Sequence, residues 1–305
     1  MSYGLPYKGS KNAIAEWIID NLPRAETFCD LFFGGGAVTH RALIDGKYKH
    51  YIANDIDARM PKFFLDCVNG NYTVSNHPEW ITRDEFNAKK DIDAFIALVW
   101  SFAGNGKEYV YGKDTEVIKK AIHYAVFFDD LSLLDELNIK LPAFKSADIM
   151  ERYRWCQKHI GREAELKLIE SAQRLQGLQE LQGVPGISTI QTYGVDYQDV
   201  KIPDGALIYC DIPYEGTNCG KYHSFDHKRF YEWAEQQDNI FISEYEMPEP
   251  FIPYAWVEKV VLSSASRNDI KGREMIYTNK RTYDRLDQFD IERIQFNFAE
   301  QMTLF

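Results

Sequence analysis

Apolar and polar positions along the chain fall into two regimes. Glu26–Phe32 is a short apolar run of strand length, followed by Gly34-Gly35-Gly36 and then by Ala37–Ile44, which has helical character. Lys49–Ala53 is a second strand-like run ending at Asn54-Asp55. Ala206–Cys210 is a third, ending at Asp211, and Asn239–Ser243 a fourth. Apolar runs that alternate with helical segments predict a mostly parallel sheet covered by helices on both faces.

Between about residues 61 and 183 strand-like runs become rare and amphipathic helical patterns dominate. Asp91–Phe102 and Arg162–Leu181 are predicted helices, the latter with Leu166, Ile169, Leu175, Leu178 and Leu181 near helical spacing as its core-facing stripe. The expected organisation is a doubly wound, Rossmann-like α/β domain made of residues 1–60 and 184–280, a helical insertion at 61–183, and a C-terminal tail at 281–305.

The longest uninterrupted apolar stretch, Ala94–Trp100, is far too short to span a bilayer, and Met1–Lys11 has no apolar run of signal-peptide type. Five cysteines without a CxxC pair suggest neither a disulfide framework nor a zinc site, so a cytoplasmic protein with reduced thiols and no bound metal is expected. The formal net charge is −11, so any contact with nucleic acid must come from a local basic patch.

Two strand ends carry candidate chemistry. Gly34–Gly36 let the backbone turn tightly and approach a ligand, and Asp55, at the end of the next strand, suits the hydroxyls of a ribose. A dinucleotide fingerprint would have a third glycine at position 39, where this chain has Thr39. That departure favours a nucleoside ligand without a pyrophosphate, which S-adenosylmethionine satisfies. Alone, the glycines are equally consistent with a tight strand-to-helix turn.

The second is Asp211-Ile212-Pro213-Tyr214, a carboxylate, a proline and an aromatic in one tight turn at the carboxyl end of a strand. An adenine amino nitrogen is a poor nucleophile because its lone pair is delocalised into the ring. A carboxylate and a backbone carbonyl that accept from its two hydrogens draw that lone pair out of conjugation, and an aromatic can stack on the base once it has left the duplex. An Asp-containing turn that merely caps a strand is the plainer alternative.

In their order and spacing these segments resemble the Dam-like, or alpha-group, adenine-N6 DNA methyltransferases. Tyr7-Lys8-Gly9-Ser10-Lys11 is similar to that family's N-terminal motif, Asp30–Gly36 to its glycine motif, Ala53-Asn54-Asp55 to its acidic motif, and Phe241–Ser243 to the strand motif after the catalytic one. Asp211–Tyr214 matches Asp-Pro-Pro-Tyr except that Ile212 replaces the first proline. The resemblance implies a cofactor site of Tyr7, Lys11, Asp30, Phe32, Gly34, Gly35, Gly36, Asp55, Asp196, Tyr197 and Asp211, with S-adenosylmethionine as cofactor. It implies that Asp211 and the Ile212 carbonyl hold the target amino group and that Pro213 and Tyr214 serve the base. The partner it implies is double-stranded DNA, read by the helical insertion.

Three segments are candidate DNA contacts. Glu151–Arg162 offers Arg152, Arg154, Lys158 and Arg162 interleaved with Tyr153 and Trp155. Ser101–Tyr109, with Asn105 and Lys107, resembles the family's DNA-contacting loop. Ser266–Arg273 is expected to be a polar loop presenting Arg267 and Lys271. The terminal Gln301-Met302-Thr303-Leu304-Phe305 resembles the Gln-x-x-Leu-Phe peptide with which bacterial replication proteins dock on the sliding clamp. Other acceptors (cytosine N4 in DNA, an amino group in RNA or protein) and a catalytically weak DNA-binding relative remain alternatives at this point.

Overall fold

A computed structural model describes residues 2–73, 75–214, 225–261 and 270–286, the side chains of 259–261 and 270–272 excepted. The chain divides into two compact units, one of residues 14–34, 38–61 and 183–305 and one of residues 1–13, 35–37 and 62–182.

The first unit is built on a seven-stranded sheet: β1 (Thr27–Asp30), β2 (His50–Asn54), β3 (Ile190–Tyr193), β4 (Leu207–Asp211), β5 (Ile240–Glu244), β6 (Ile252–Val261) and β7 (Ile270–Thr278). Their order is β3-β2-β1-β4-β5-β7-β6. The first five strands of this order are parallel, whereas β7 runs antiparallel to both β5 and β6. This is the mixed, mostly parallel sheet of a doubly wound, Rossmann-like architecture.

The central strands are continuous apolar runs because both of their faces are covered. Cys29, Ile52, Ile208, Cys210 and Ile242 point into one core with Phe230 of the helix His227–Ala234. Phe28, Tyr51, Tyr209 and Phe241, one residue out of phase, point to the other. There Phe28 stacks on Tyr48 at 5.0 Å, the Tyr51 hydroxyl donates to Ala42 O (3.0 Å) of the helix Ala37–Asp45, and the Tyr254 hydroxyl donates to Asn21 O (2.7 Å) of the helix Ala15–Asn21.

The chain builds outward from β1 to β2 and β3, then returns to add β4 on the other side of β1. The strand order therefore reverses between β1 and β4, and clefts in such sheets open at the carboxyl ends of the strands flanking that reversal. Those ends are Asp30 and Asp211, with Asp30 in register with Tyr209.

In the second unit the described residues contain no strand of the sheet, only an isolated bridge between Ser101 and Tyr109. Its longest helices are Lys113–Phe128, Ile149–Ile160 and Lys167–Gly177. Its core is aromatic: Trp80 stacks on Tyr111 at 5.5 Å and meets Trp100 edge-on at 5.2 Å.

Two predicted helices are shorter than their apolar patterns. The Asp91–Phe102 pattern forms a helix only over Ala94–Val99, because the Asp93 carboxylate accepts from the Ile96 amide (3.0 Å) and starts the helix there. Arg162–Leu181 is broken at Glu165-Leu166, both extended, and the helix restarts at Lys167. The Lys119 ammonium bonds the carbonyls of Glu163 (2.8 Å) and Glu165 (2.7 Å), satisfying acceptors on either side of Ala164. All five leucine and isoleucine residues of the stripe are nevertheless buried.

The stretch Ser266–Arg273, expected as a loop, belongs from Ile270 onward to β7. Backbone pairing of Ile270–Arg273 with Glu258–Val261 of β6 makes it a strand despite its charged residues.

Candidate active site

At the end of β1, Asp30 is only 2% exposed. Its Oδ2 accepts from the Thr39 hydroxyl at 2.7 Å, whereas its Oδ1 is buried with no hydrogen-bond partner among the described residues. Burial pushes the Asp30 carboxyl up to about 7, against the Thr39 hydrogen bond and helped by the negative charges of Asp211 and Asp55. Three carboxylates at the ends of adjacent strands thus act on one another electrostatically.

Asp55 continues β2 and turns its carboxylate onto the glycine loop. Its Oδ2 accepts from the Gly34 amide (2.7 Å) and its Oδ1 from the Asp57 amide (2.8 Å). Gly34 and Gly36 have φ of 50° and 68°, the left-handed region in which glycine is favoured. Phe32, next to them, is partly exposed and packs against Tyr197 (5.4 Å), Phe225 (5.7 Å) and Phe230 (5.7 Å). Asp196 is held by Arg229 through paired contacts of 2.9 and 3.1 Å, and it caps the short turn containing the buried Tyr197.

The strand β4 delivers Asp211 and then the turn. Ile212 is buried in the sheet core. The Pro213 carbonyl accepts from His227 Nε2 (2.7 Å), and the Tyr214 hydroxyl donates to Glu274 Oε2 (2.8 Å). Neither His227 nor Glu274 was a sequence-predicted site residue. His227 opens a helix far along the chain, and Glu274 sits in a charged stretch that reads as solvent-facing.

In the helical unit, Lys11 is buried and Tyr7 half-buried. Gly35 is needed for close approach: a Cβ there would lie 2.6 Å from Tyr7 Cβ, and the Leu5 amide donates to Gly35 O (2.7 Å). The same N-terminal segment reaches the Ser101–Tyr109 loop, where the Lys8 amide donates to Gly104 O (3.4 Å).

The predicted DNA contacts divide by exposure. Arg154 and Lys158, four residues apart on the helix Ile149–Ile160, share an exposed face, and Arg162 follows, also exposed. Arg152 departs from the expectation. It lies on the opposite, buried face with Cys156, and its guanidinium donates to Ser146 O (3.0 Å) and Val126 O (3.3 Å). Asn105, half-buried, bonds within its own loop, its Oδ1 accepting from the amides of Lys107 (2.8 Å) and Glu108 (3.1 Å). Its amide group shapes the loop, while Lys107 remains exposed. Lys271 lies in β7 with its side chain outside the described residues, and Arg267, Gln301, Leu304 and Phe305 lie outside them entirely.

A Rossmann-like sheet whose acidic strand ends gather beside a glycine loop is consistent with a methyltransferase. The profile of the D12 class N6 adenine-specific DNA methyltransferase family matches residues 7–252, most of the chain, and the chain belongs to that family. It is an adenine-specific DNA methyltransferase whose methyl donor is S-adenosylmethionine. No curated protein matches the chain significantly. Among the described residues no helix is long and apolar enough to cross a membrane. The site chemistry fits this donor: a sulfonium that also carries an ammonium group suits clustered carboxylates, one with a buried oxygen still lacking a partner.

Proposed function

We propose that the protein methylates adenine N6 in double-stranded DNA at the carboxyl end of β4, after the target base has left the duplex. Asp211 and the Ile212 carbonyl accept from the two amino hydrogens, which localises the nitrogen lone pair. Tyr214 stacks on the base. Asp211 acts as a fixed acceptor, so the reaction asks for its ionised form. When bound, S-adenosylmethionine supplies an electrophilic methyl group on a positively charged sulfur. Asp55 holds its ribose hydroxyls, Gly34 gives the backbone access, Phe32, Tyr197 and Asp196 lie on the adenine side, and Asp30 offers its unpartnered oxygen to the cationic end. The helical unit reads the DNA, with Arg154, Lys158, Arg162 and Lys107 as exposed cations.

The observation that carries this reading is the gathering of Asp30, Asp55 and Asp211 at adjacent strand ends beside the reversal of strand order. The test is expression in a methylation-free host followed by modification-sensitive sequencing. Wild-type protein should yield N6-methyladenine at a defined sequence. Asp211→Ala should yield about 100-fold less activity or lower in single-turnover assays of the purified protein. Near-native turnover in that variant would refute the role given to Asp211.

The C-terminal peptide adds a sliding clamp as partner, on the strength of Gln301, Leu304 and Phe305 in the sequence alone. Surface plasmon resonance of the intact protein on immobilised clamp should give a signal that Leu304→Ala/Phe305→Ala abolishes; no signal from the intact protein ends the idea.

A further inference from the structure

We infer that His227 and Glu274 clamp the Ile212–Tyr214 turn and so fix the platform that holds the target base, a reading that rests on the role given to Tyr214 above. The starting point is a missing constraint. Where the family motif has a first proline, this chain has Ile212, whose φ is not fixed by a ring. A turn that must hold both a carbonyl and an aromatic ring in register needs rigidity from elsewhere.

Two elements distant in sequence supply it. His227 is the first residue of the helix His227–Ala234, and its Nε2 donates to Pro213 O at 2.7 Å, anchoring the backbone of the turn. That helix is itself fixed. The Asp226 carboxylate accepts from the Arg229 amide (3.0 Å), and Phe230 is fully buried against Phe32. Glu274, 3% exposed, takes the hydroxyl of Tyr214 at 2.8 Å. It projects from β7, which pairs with β5, the neighbour of the strand carrying the turn.

The ring of Tyr214 also meets Tyr245 edge-on, with centroids 4.6 Å apart and planes at 80°. Its orientation is therefore fixed at the hydroxyl and along the ring. Burial raises the Tyr214 phenol well above its ordinary range, so it remains a donor at working pH. A buried carboxylate needs a donor and an off-strand phenol needs an acceptor, and each meets the other's requirement. Both clamp residues act through the turn and are positioning residues.

The experiment compares Tyr214→Phe, Glu274→Leu, their double variant, Glu274→Gln and His227→Ala in purified full-length protein. Methyl transfer to mixed-sequence DNA gives kcat and KM, calorimetry gives the S-adenosylmethionine Kd, and thermal melting reports the fold. Tyr214→Phe keeps the stacking ring and loses only the hydroxyl. It and Glu274→Leu should each lower kcat about tenfold with KM for DNA and cofactor Kd unchanged, as for loss of one hydrogen bond to a charged acceptor. The double variant should lose no more than either single one. Glu274→Gln, which keeps an acceptor oxygen, should retain most of the turnover, and His227→Ala should lower kcat at unchanged melting temperature.

Near-native kcat in Tyr214→Phe, or losses that multiply in the double variant, would overturn the Glu274 half. Native kcat in His227→Ala would overturn the backbone half. If Glu274→Leu does not fold, Tyr214→Phe decides alone. Native turnover in Tyr214→Ala would instead overturn the platform itself, so the two readings fail separately.

Discussion

The hydroxyl of Thr39 donates a 2.7 Å hydrogen bond to Oδ2 of Asp30, tying the first turns of the helix Ala37–Asp45 to the end of β1. In sequence, Thr39 mattered as the glycine that a dinucleotide site would have had. In the fold it is the partner of the most buried acid of the site. Because Asp30 is raised to about 7 from an ordinary value near 3.8, the folded protein holds this proton more tightly than the unfolded chain does. The resulting stabilisation is full at acid pH and is lost as pH rises through about 7. The cofactor-free protein should therefore melt at falling temperature between about pH 4 and pH 7 from this group, and Asp30→Asn should flatten that slope. A cationic ligand favours the ionised carboxylate, so S-adenosylmethionine should bind with proton release below pH 7. Calorimetry in two buffers of different ionisation enthalpy measures it. Equal heats in both buffers and an unchanged pH slope in Asp30→Asn would remove Asp30 from the cofactor site.

Asp55 has two separable duties, since its Oδ2 takes the Gly34 amide while its charge faces the site. Asp55→Asn keeps an acceptor for Gly34 and loses the charge; Asp55→Ala loses both. The expected order of S-adenosylmethionine affinity is wild type, then Asn, then Ala, with each step several-fold or more for charge-assisted hydrogen bonds. Equal affinity of all three in calorimetric titration would mean that Asp55 serves the loop alone.

Gly35 should not tolerate a side chain, because a Cβ would lie 2.6 Å from Tyr7 Cβ and 3.2 Å from Leu5 O. Gly35→Ala must displace the N-terminal segment, at a cost of about 1–3 kcal/mol for overpacking. Thermal melting together with limited proteolysis at residues 1–13 checks this; native melting and native protection would contradict the close approach.

How much of this could be read from sequence follows burial. β1, β2, β4 and β5 were visible because strands covered on both faces are unbroken apolar runs, and Cys29, Ile208 and Ile242 must all be apolar. β3 was missed because Ile190–Tyr193 is an edge strand with exposed Gln191 and Thr192. β7 was missed because Lys271, Arg273 and Glu274 carry charges that only tertiary pairing accommodates. The motif residues Asp30, Gly34, Asp55 and Asp211 lie at adjacent strand ends by the logic of the sheet. His227 and Glu274 left no signal, since each acts through a contact across 14 and 60 residues of chain. Composition counted Arg152 with Arg154 and Lys158, and only helical phase separates them.

That phase yields the sharpest contrast for DNA binding. On the helix Ile149–Ile160, Arg152 faces inward, bonding Ser146 O and Val126 O, while Arg154 and Lys158 face solvent with Arg162 just beyond. Arg152→Ala leaves two carbonyls without a donor and removes a packed stem, so it should destabilise the fold by about 1–3 kcal/mol. Arg154→Ala and Lys158→Ala should leave stability within about 0.5 kcal/mol. Instead they should weaken DNA affinity and lower the salt slope of log K by about 0.9 for each phosphate no longer neutralised. If they read bases, the methylated sequence should become degenerate while the slope holds. Melting curves for the first variant, and DNA titrations at several salt concentrations for the other two, separate a structural arginine from recognition residues. Unchanged affinity, slope and methylated sequence in the exposed pair would leave this face as a solvated one, and the reading of DNA would fall to Lys107 and its loop.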